Sequence, residues 1–193
     1  MRTGVDAILM ASGFSARFGA ENKLLYPFRG QPLALHTLDR VCTAELFDHI
    51  YFISADAQVA ALGHPYPVTP LHNARPDLGS RESVRIGVTV STARHYMFFT
   101  CDQPLLDAGT VKDIVARRKA GRIVVPTCDD VPGSPTLFSA RFREELMGLQ
   151  PGQRARTVLQ RHAQNVVYVP ARHALALADV DTREVLQALE AAT

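Results

Sequence analysis

At 193 residues the chain has room for one sizeable α/β domain and not for two. Its 47% hydrophobic content suits a packed core, yet no run approaches the roughly 18 apolar residues that span a bilayer, and no apolar secretory segment led by basic residues opens the chain. A formal net charge of +2 makes no case for nucleic acid as the main partner. Cys42, Cys101 and Cys128 are widely spaced with no Cys-x-x-Cys, which argues against a disulfide framework or zinc site and for reduced thiols in a cytoplasmic protein.

Strand and helix signals alternate along the chain. Val5–Met10 is an apolar run of strand length that feeds a loop holding Gly13, Ser15, Arg17 and Gly19, with Lys23 after it. Small residues let backbone N–H groups close around an anion, and Arg and Lys add fixed positive charge for phosphate oxygens. The spacing fits neither Gly-x-x-x-x-Gly-Lys-Ser/Thr nor Gly-x-Gly-x-x-Gly, and the missing second pattern counts against a dinucleotide-dependent oxidoreductase.

A helix is predicted from Pro32 to Val41, a strand over His49–Ser54 and a short helix through Val59–Leu62. His64–Pro76 is a loop region able to hold a short edge strand. Ser80–Val90 forms a helix and Tyr96–Thr100 a buried strand of continuous apolar type. Thr110 caps a helix running to Ala120. Ile123–Pro126 and Thr136–Phe138 are strands, Arg141–Leu149 and Arg154–His162 helices, and Val166–Val169 a strand. Thr182 caps a final helix that runs to Ala191. The alternation predicts one α/β domain over residues 1–193, three-layered, with a mostly parallel twisted sheet flanked by helices. Ligands in such sheets bind outside the carboxyl ends of strands.

Two acidic features bear on chemistry. Asp102 ends a strongly apolar strand, where a carboxylate is costly unless it meets a cation or donors. Alone it also reads as a loop residue capping the next turn; facing a phosphate loop it reads as a Mg²⁺ ligand. In Asp179-Val-Asp-Thr182, extended alternation puts Asp179 and Asp181 on one side. Alone the pair reads as acids favouring the start of a helix; with Asp102, two separated carboxylates can grip one ion. The seven histidines, His36, His72 and His162 among them, show no metal spacing, and Cys101 reads as a small filler at a strand end.

Met10-Ala-Ser-Gly-Phe-Ser-Ala-Arg-Phe-Gly19, followed by Lys23-Leu-Leu, resembles the signature loop of nucleotidyltransferases. Asn73 to Ser83, Asp102-Gln-Pro104, Gly133-Ser-Pro-Thr-Leu-Phe138 and Asp179-Val-Asp-Thr182 follow in family order. Over nearly its whole length the chain thus resembles the molybdenum cofactor cytidylyltransferases of the MobA-like NTP transferase superfamily, relatives of the guanylyltransferases. The resemblance implies a Rossmann-like fold of GT-A type. It implies that Ala11, Ser12, Gly13, Ser15, Arg17 and Lys23 hold the triphosphate, and that Asn73, Gly79 and Ser83 contact the base or ribose end. It assigns Mg²⁺, with Mn²⁺ as substitute, to Asp102 and Asp181, a pterin pocket to Gly133 and Pro135, and catalysis to Arg17, Lys23 and Asp102. The implied reaction moves CMP from CTP to the terminal phosphate of Mo-molybdopterin and releases pyrophosphate, with a client molybdenum hydroxylase as partner. The chain departs from the family at Arg183, where proline is frequent, and at Ser134, where histidine is common on the pterin side. The alternatives are a guanylyl- or sugar-phosphate nucleotidyltransferase of the same fold, and a non-catalytic carrier of the molybdenum cofactor.

Overall fold

The apolar run near the start of the chain becomes the middle of a sheet. The computed structural model describes residues 3–13, 18 and 21–192. Strand β1 (Val5–Met10) has its first five residues buried and pairs in parallel with β4 (Ile50–Ser54) on one side and β6 (His95–Thr100) on the other. β5 (Thr69–His72) extends the sheet beyond β4, inside the stretch read as a loop with an edge strand. On the far side lie β9 (Thr136–Ser139), β7 (Ile123–Cys128) and β10 (Val166–Pro170), so the order is β10-β7-β9-β6-β1-β4-β5. β9 runs antiparallel to both β6 and β7, and the stub β8 (Val131–Pro132) runs antiparallel to β7; the other strands share one direction. The sheet is therefore mixed but mostly parallel, and the carboxyl ends of β1, β6 and β7 open on one edge.

Alternation along β1 divides its side chains between two helical layers. Val5, Ala7 and Leu9 pack with Leu38 and Val41 of α1 (Leu33–Thr43) and with Val111 and Ile114 of α4 (Ala108–Ala116). Ile8 packs on the other face with Val84 and Val88 of α3 (Ser80–Val90), beside Leu146 of α5 (Arg143–Met147) and Val158 of α6 (Ala155–Arg161). Each fully buried Leu or Ile contributes about 1.5–3 kcal/mol relative to exposure. Gly87 lets α3 lie directly on β1, since a Cβ there would stand 2.5 Å from Cγ2 of Ile8. α7 (Arg183–Ala191) closes a smaller cluster in which Leu186 and Leu189 pack with Phe18, Phe28 and Leu33. No helix among the described residues is long and apolar enough to cross a membrane.

β1, α3 and α7 lie where the sequence pattern places them, and the Thr182 hydroxyl oxygen accepts from the Val185 N–H at the start of α7. α4 is a correction: its cap is Asp107, not Thr110. Asp107 accepts both the Thr110 N–H (2.8 Å) and the Thr110 hydroxyl (2.6 Å), so one carboxylate does what the threonine was expected to do. The helix also stops at Ala116, short of Ala120. The segment Arg141–Leu149 divides into a 3-10 turn over Ala140–Phe142 and the short α5. Two features escaped the sequence pattern: β8, and the small hairpin of β2 (Pro27–Phe28) with β3 (Gln31–Pro32). The short helix α2 (Ala57–Ala61) starts at Asp56, whose side chain accepts from the N–H groups of Gln58 and Val59.

Candidate active site

The register of β1 against β6 sets Met10 beside Thr100. The chain leaving β1 through Ala11, Ser12 and Gly13 therefore emerges next to Cys101 and Asp102, at the carboxyl ends of two adjacent parallel strands. The 179–181 segment is tied to the same point. The Val180 N–H donates to the Asp102 carbonyl (2.9 Å), and the Gln103 amide donates to the Leu177 carbonyl (3.1 Å). Lys23 starts a 3-10 turn capped by Asn22, whose side-chain oxygen accepts from the Leu24 N–H.

These three segments meet at the Lys23 ammonium. It donates to Asp102 Oδ2 (2.7 Å), to the Val180 carbonyl (2.8 Å) and to Asp181 Oδ1 (3.2 Å). Lys23 is buried, the Asp102 side chain is 17% exposed and the Asp181 side chain is 40% exposed. One cation is thus shared by two carboxylates in a partly dry place, where the pairing is strong. Asp102 Oδ1 is buried and has no hydrogen-bond partner among the described residues. Asp179 points to the same excess of negative charge. Packing around its carboxyl, then Asp102 and then Asp181, push its pKa up to about 6, against the pull of Lys23 and Gln103, although the residue as a whole stays exposed. The neighbouring Cys101 thiol is buried and its pKa is raised by that burial, so it is an inert neutral group.

A cleft of about 170 Å³ lies over this junction, walled by Ser12, Gly13, Lys23, Gly79, Ser83 and Asp102. Gly79 leads into α3 with φ +70° and ψ −163°, a region open to glycine alone. Asn73 is buried behind this wall, not on it. Its amide nitrogen donates to Ser83 Oγ (3.3 Å) and its side-chain oxygen accepts from the Arg75 N–H (2.9 Å), so it holds the loop over residues 73–83 in shape. Ala11 is likewise buried, with its N–H donated to the Ile53 carbonyl (2.8 Å). Ser15 and Arg17 lie outside the described residues.

A second cavity of about 330 Å³ adjoins the first and shares Met10, Ser80 and Thr100 with it. Gly133, Arg154, Arg156 and Asp179 reach its wall. Pro135 follows Gly133 through a cis Ser134–Pro135 bond and does not line the wall itself. Arg154 and Arg156 were not singled out from the sequence. The available signal was two arginines at a helix start, where the dipole disfavours cations. Thr100, the last residue of β6, has a buried hydroxyl with no hydrogen-bond partner among the described residues and was missed too.

The donor set fits a hard divalent cation. Asp102 offers a bare buried oxygen beside Asp181, and both ligands are oxygens. Among the described residues no group of three or more His, Cys, Asp or Glu is placed to hold a metal ion. An ion bound here would take one or two carboxylates and complete its shell with waters and phosphate oxygens, as Mg²⁺ does.

Comparison with known proteins identifies the family and the fold. The MobA-like NTP transferase domain family matches residues 7–166. A molybdenum cofactor guanylyltransferase from Ralstonia pickettii is 28% identical over 200 residues, 96% of this chain and 95% of its own length. A probable molybdenum cofactor guanylyltransferase from Haloferax mediterranei is 26% identical over 132 residues, 67% of this chain. The chain spans about three fifths (62%) of that relative's length. Among solved structures, a nucleotidyl transferase from Methanothermobacter superposes with a TM-score of 0.86 at 17% identity, covering 97% of this chain and 96% of its own. A Mycobacterium tuberculosis protein solved as a manganese complex gives 0.76 at 22%, covering 99% of this chain and 100% of its own. At these identities the structures attest the fold, a Rossmann-like nucleotidyltransferase architecture. With the family match running from β1 into β10, the chain belongs to the MobA-like NTP transferase domain family.

Proposed function

We propose that the chain is a molybdenum cofactor cytidylyltransferase, moving CMP from CTP to the terminal phosphate of Mo-molybdopterin and releasing pyrophosphate. The observation that carries this reading is the Lys23 ammonium bonded to Asp102 and Asp181, with Asp102 Oδ1 left bare beneath the Ser12–Gly13 loop. Asp102 and Asp181 would hold a divalent cation, Mg²⁺ or Mn²⁺, which neutralises phosphate oxygens as negative charge moves onto the leaving group. The chain's own residues align and screen. The acceptor phosphate has a second pKa of about 6 and is largely a dianion at neutral pH, so no strong general base is required. Lys23 would exchange a carboxylate for a phosphate oxygen, joining Ser12, Gly13, Ser15 and Arg17 around the triphosphate. Gly79 and Ser83 would face the base or ribose, with Asn73 as the positioning residue behind them. Gly133 and the loop at Pro135 would border the acceptor, with Arg154 and Arg156 offering charge to its phosphate.

The resemblance favours CTP through the Ala11–Ser12 version of the loop, Asp102-Gln-Pro104 and Gly133-Ser-Pro-Thr-Leu-Phe138 taken together, whereas the curated relatives named above are guanylyltransferases, which makes GTP the second reading. The product would be delivered to a client molybdenum hydroxylase in the cytoplasm. The test is incubation of the protein with Mo-molybdopterin, Mg²⁺ and either CTP or GTP, following pyrophosphate and the dinucleotide product. Pyrophosphate and a cytosine dinucleotide with CTP alone are expected. Faster turnover with GTP moves the assignment to the guanylyl branch, and pterin binding without pyrophosphate from either nucleotide leaves a carrier.

A further inference from the structure

At the opposite end of the sheet, His95 opens β6 and is paired across the ladder with Ser139 of β9. Directly opposed residues carry their side chains on one face, side by side. The two sit at the floor of an open bowl of about 760 Å³ whose rim carries Arg94, Arg118, Lys119 and Arg141. Among the described residues, none of these four cations takes part in an ion pair. Arg118 is steadied by carbonyls only, through Thr3 (3.2 Å) and Val115 (2.9 Å). The carboxylate at the start of β1, Asp48, is engaged by the N–H groups of Thr3 and Gly4 and by the Thr3 hydroxyl.

The floor holds unused donors. His95 is only 8% exposed, and neither ring nitrogen has a hydrogen-bond partner among the described residues. The Gly4 and Lys119 carbonyls are close enough to temper its pKa but not in bonding geometry. An unmet buried polar group is costly to a fold and calls for an explanation, which a bound ligand supplies. Ser139 Oγ accepts from the Gly121 N–H (3.0 Å) and the Arg141 N–H (3.3 Å), which leaves its own hydrogen to give. Burial first, then Arg118 and Arg94, hold the His95 pKa below its ordinary value, so at neutral pH the ring is uncharged and presents one N–H.

We propose that this bowl is a second anion site, distinct from the cleft at the carboxyl ends, that takes a small multiply charged phosphate such as pyrophosphate or the polyphosphate tail of a nucleotide. Buried donors at the floor and unpaired guanidinium groups at the rim suit compact tetrahedral oxyanions. The inference does not depend on the reaction proposed above.

The test uses the full chain with labelled histidine, followed by NMR as pyrophosphate is added at low salt without metal. The His95 signal is expected to shift saturably and its pKa to rise, because a bound polyanion favours the imidazolium. Arg94 and Arg141 are exposed, so Arg94→Gln, Arg141→Gln and the double variant are expected to fold. Each loss of a guanidinium should weaken binding about tenfold. ATP added in a parallel arm identifies the source. A larger response to ATP at equal concentration assigns a nucleotide tail, and a larger response to pyrophosphate assigns the free anion. A His95 signal that does not move at about 10 mM pyrophosphate overturns the site, as does equal affinity in the double variant. An equal response to a poly-glutamate peptide overturns the small-phosphate assignment in favour of an acidic protein surface.

Discussion

The two ends of the sheet carry opposite imbalances of charge. At the carboxyl ends, Asp102 and Asp181 share the Lys23 ammonium, and the pKa of Asp179 is raised by burial first and then by these two acids. At the amino ends, Arg94, Arg118, Lys119 and Arg141 rim a buried imidazole, and the pKa of His95 is lowered by burial first and then by Arg118 and Arg94. Each end is built of groups that like water and each keeps some of them dry, which a fold tolerates when a ligand completes the set. The parallel direction of most strands makes the two ends unequal from the start. The loop leaving β6 and the segment before α7 bring the acids together at one edge, while the turns before β6 and β7 and the one after β9 collect basic residues at the other.

The largest expected effect removes the acid whose oxygen stands bare. Asp102→Asn should lower pyrophosphate release by about a hundredfold or more, the scale of losing a charge-stabilising group in a transfer step. Circular dichroism should show the fold retained. A folded Asn variant with full turnover would remove the acidic end from the mechanism. Next in size is the cation. Lys23→Met removes the ammonium that pairs with the largely buried Asp102 carboxylate and should cost about 3 kcal/mol in urea unfolding at pH 7.5. Mg²⁺ should raise the melting temperature of this variant more than that of the native chain, because the ion supplies the charge the methionine lacks. Equal responses to Mg²⁺ would mean that Lys23 and the ion do not share one place.

Much of this arrangement was legible in the sequence, for identifiable reasons. β1 is a continuous apolar run, α3 an amphipathic one, and α7 is announced by a Thr whose hydroxyl oxygen accepts a backbone N–H three residues on. Asp102 was readable because a strand end is a local feature; alternation set Asp179 and Asp181 on one side, and only the family resemblance singled out Asp181. The partner of Lys23 was not, since its acids lie 79 and 158 residues away and only packing brings them together. The same holds for the cavity wall shared by Met10, Ser80 and Thr100. The β2–β3 hairpin escaped because its two-residue turn places Arg29 at φ +49°, where Asn or Asp before glycine is the usual signal. Asp107 displaced Thr110 as the cap of α4 because both residues are good caps and sequence alone does not rank them. Asn73 shows the limit of transferred roles: its amide is spent inside the loop it shapes.

A smaller effect is expected from the backbone of the acidic cleft. Gly79→Ala places a side chain where φ is +70° and ψ −163°, and the new Cβ would meet nothing within 4 Å. The cost is therefore conformational strain and not a clash, about 2 kcal/mol. Denaturant unfolding should show that loss, and nucleotide binding measured by calorimetry should weaken because the loop leading into α3 moves off the cleft wall. A variant of native stability would mean that the loop relaxes freely and does not preset the cleft.

The smallest effect tests the charge imbalance itself. In the metal-free protein the Asp179 pKa is about 6, above the ordinary 3.8, so the folded chain holds this proton more tightly than the unfolded chain does. The proton's contribution to stability is complete below about pH 4 and is lost as the pH rises through about 6. Asp179→Asn fixes the neutral state. It should therefore match the native chain near pH 4 and exceed it above pH 7, by about 1 kcal/mol once the exposure of this residue is allowed for. Saturating Mg²⁺ should shrink that gap, because an ion beside Asp102 and Asp181 cancels the repulsion that adds to burial in lifting the Asp179 pKa. If the gap is absent without metal, neither burial nor the neighbouring acids raise the Asp179 pKa. If it persists unchanged with Mg²⁺, the ion binds elsewhere and the contrast between the two ends of the sheet loses its chemical meaning.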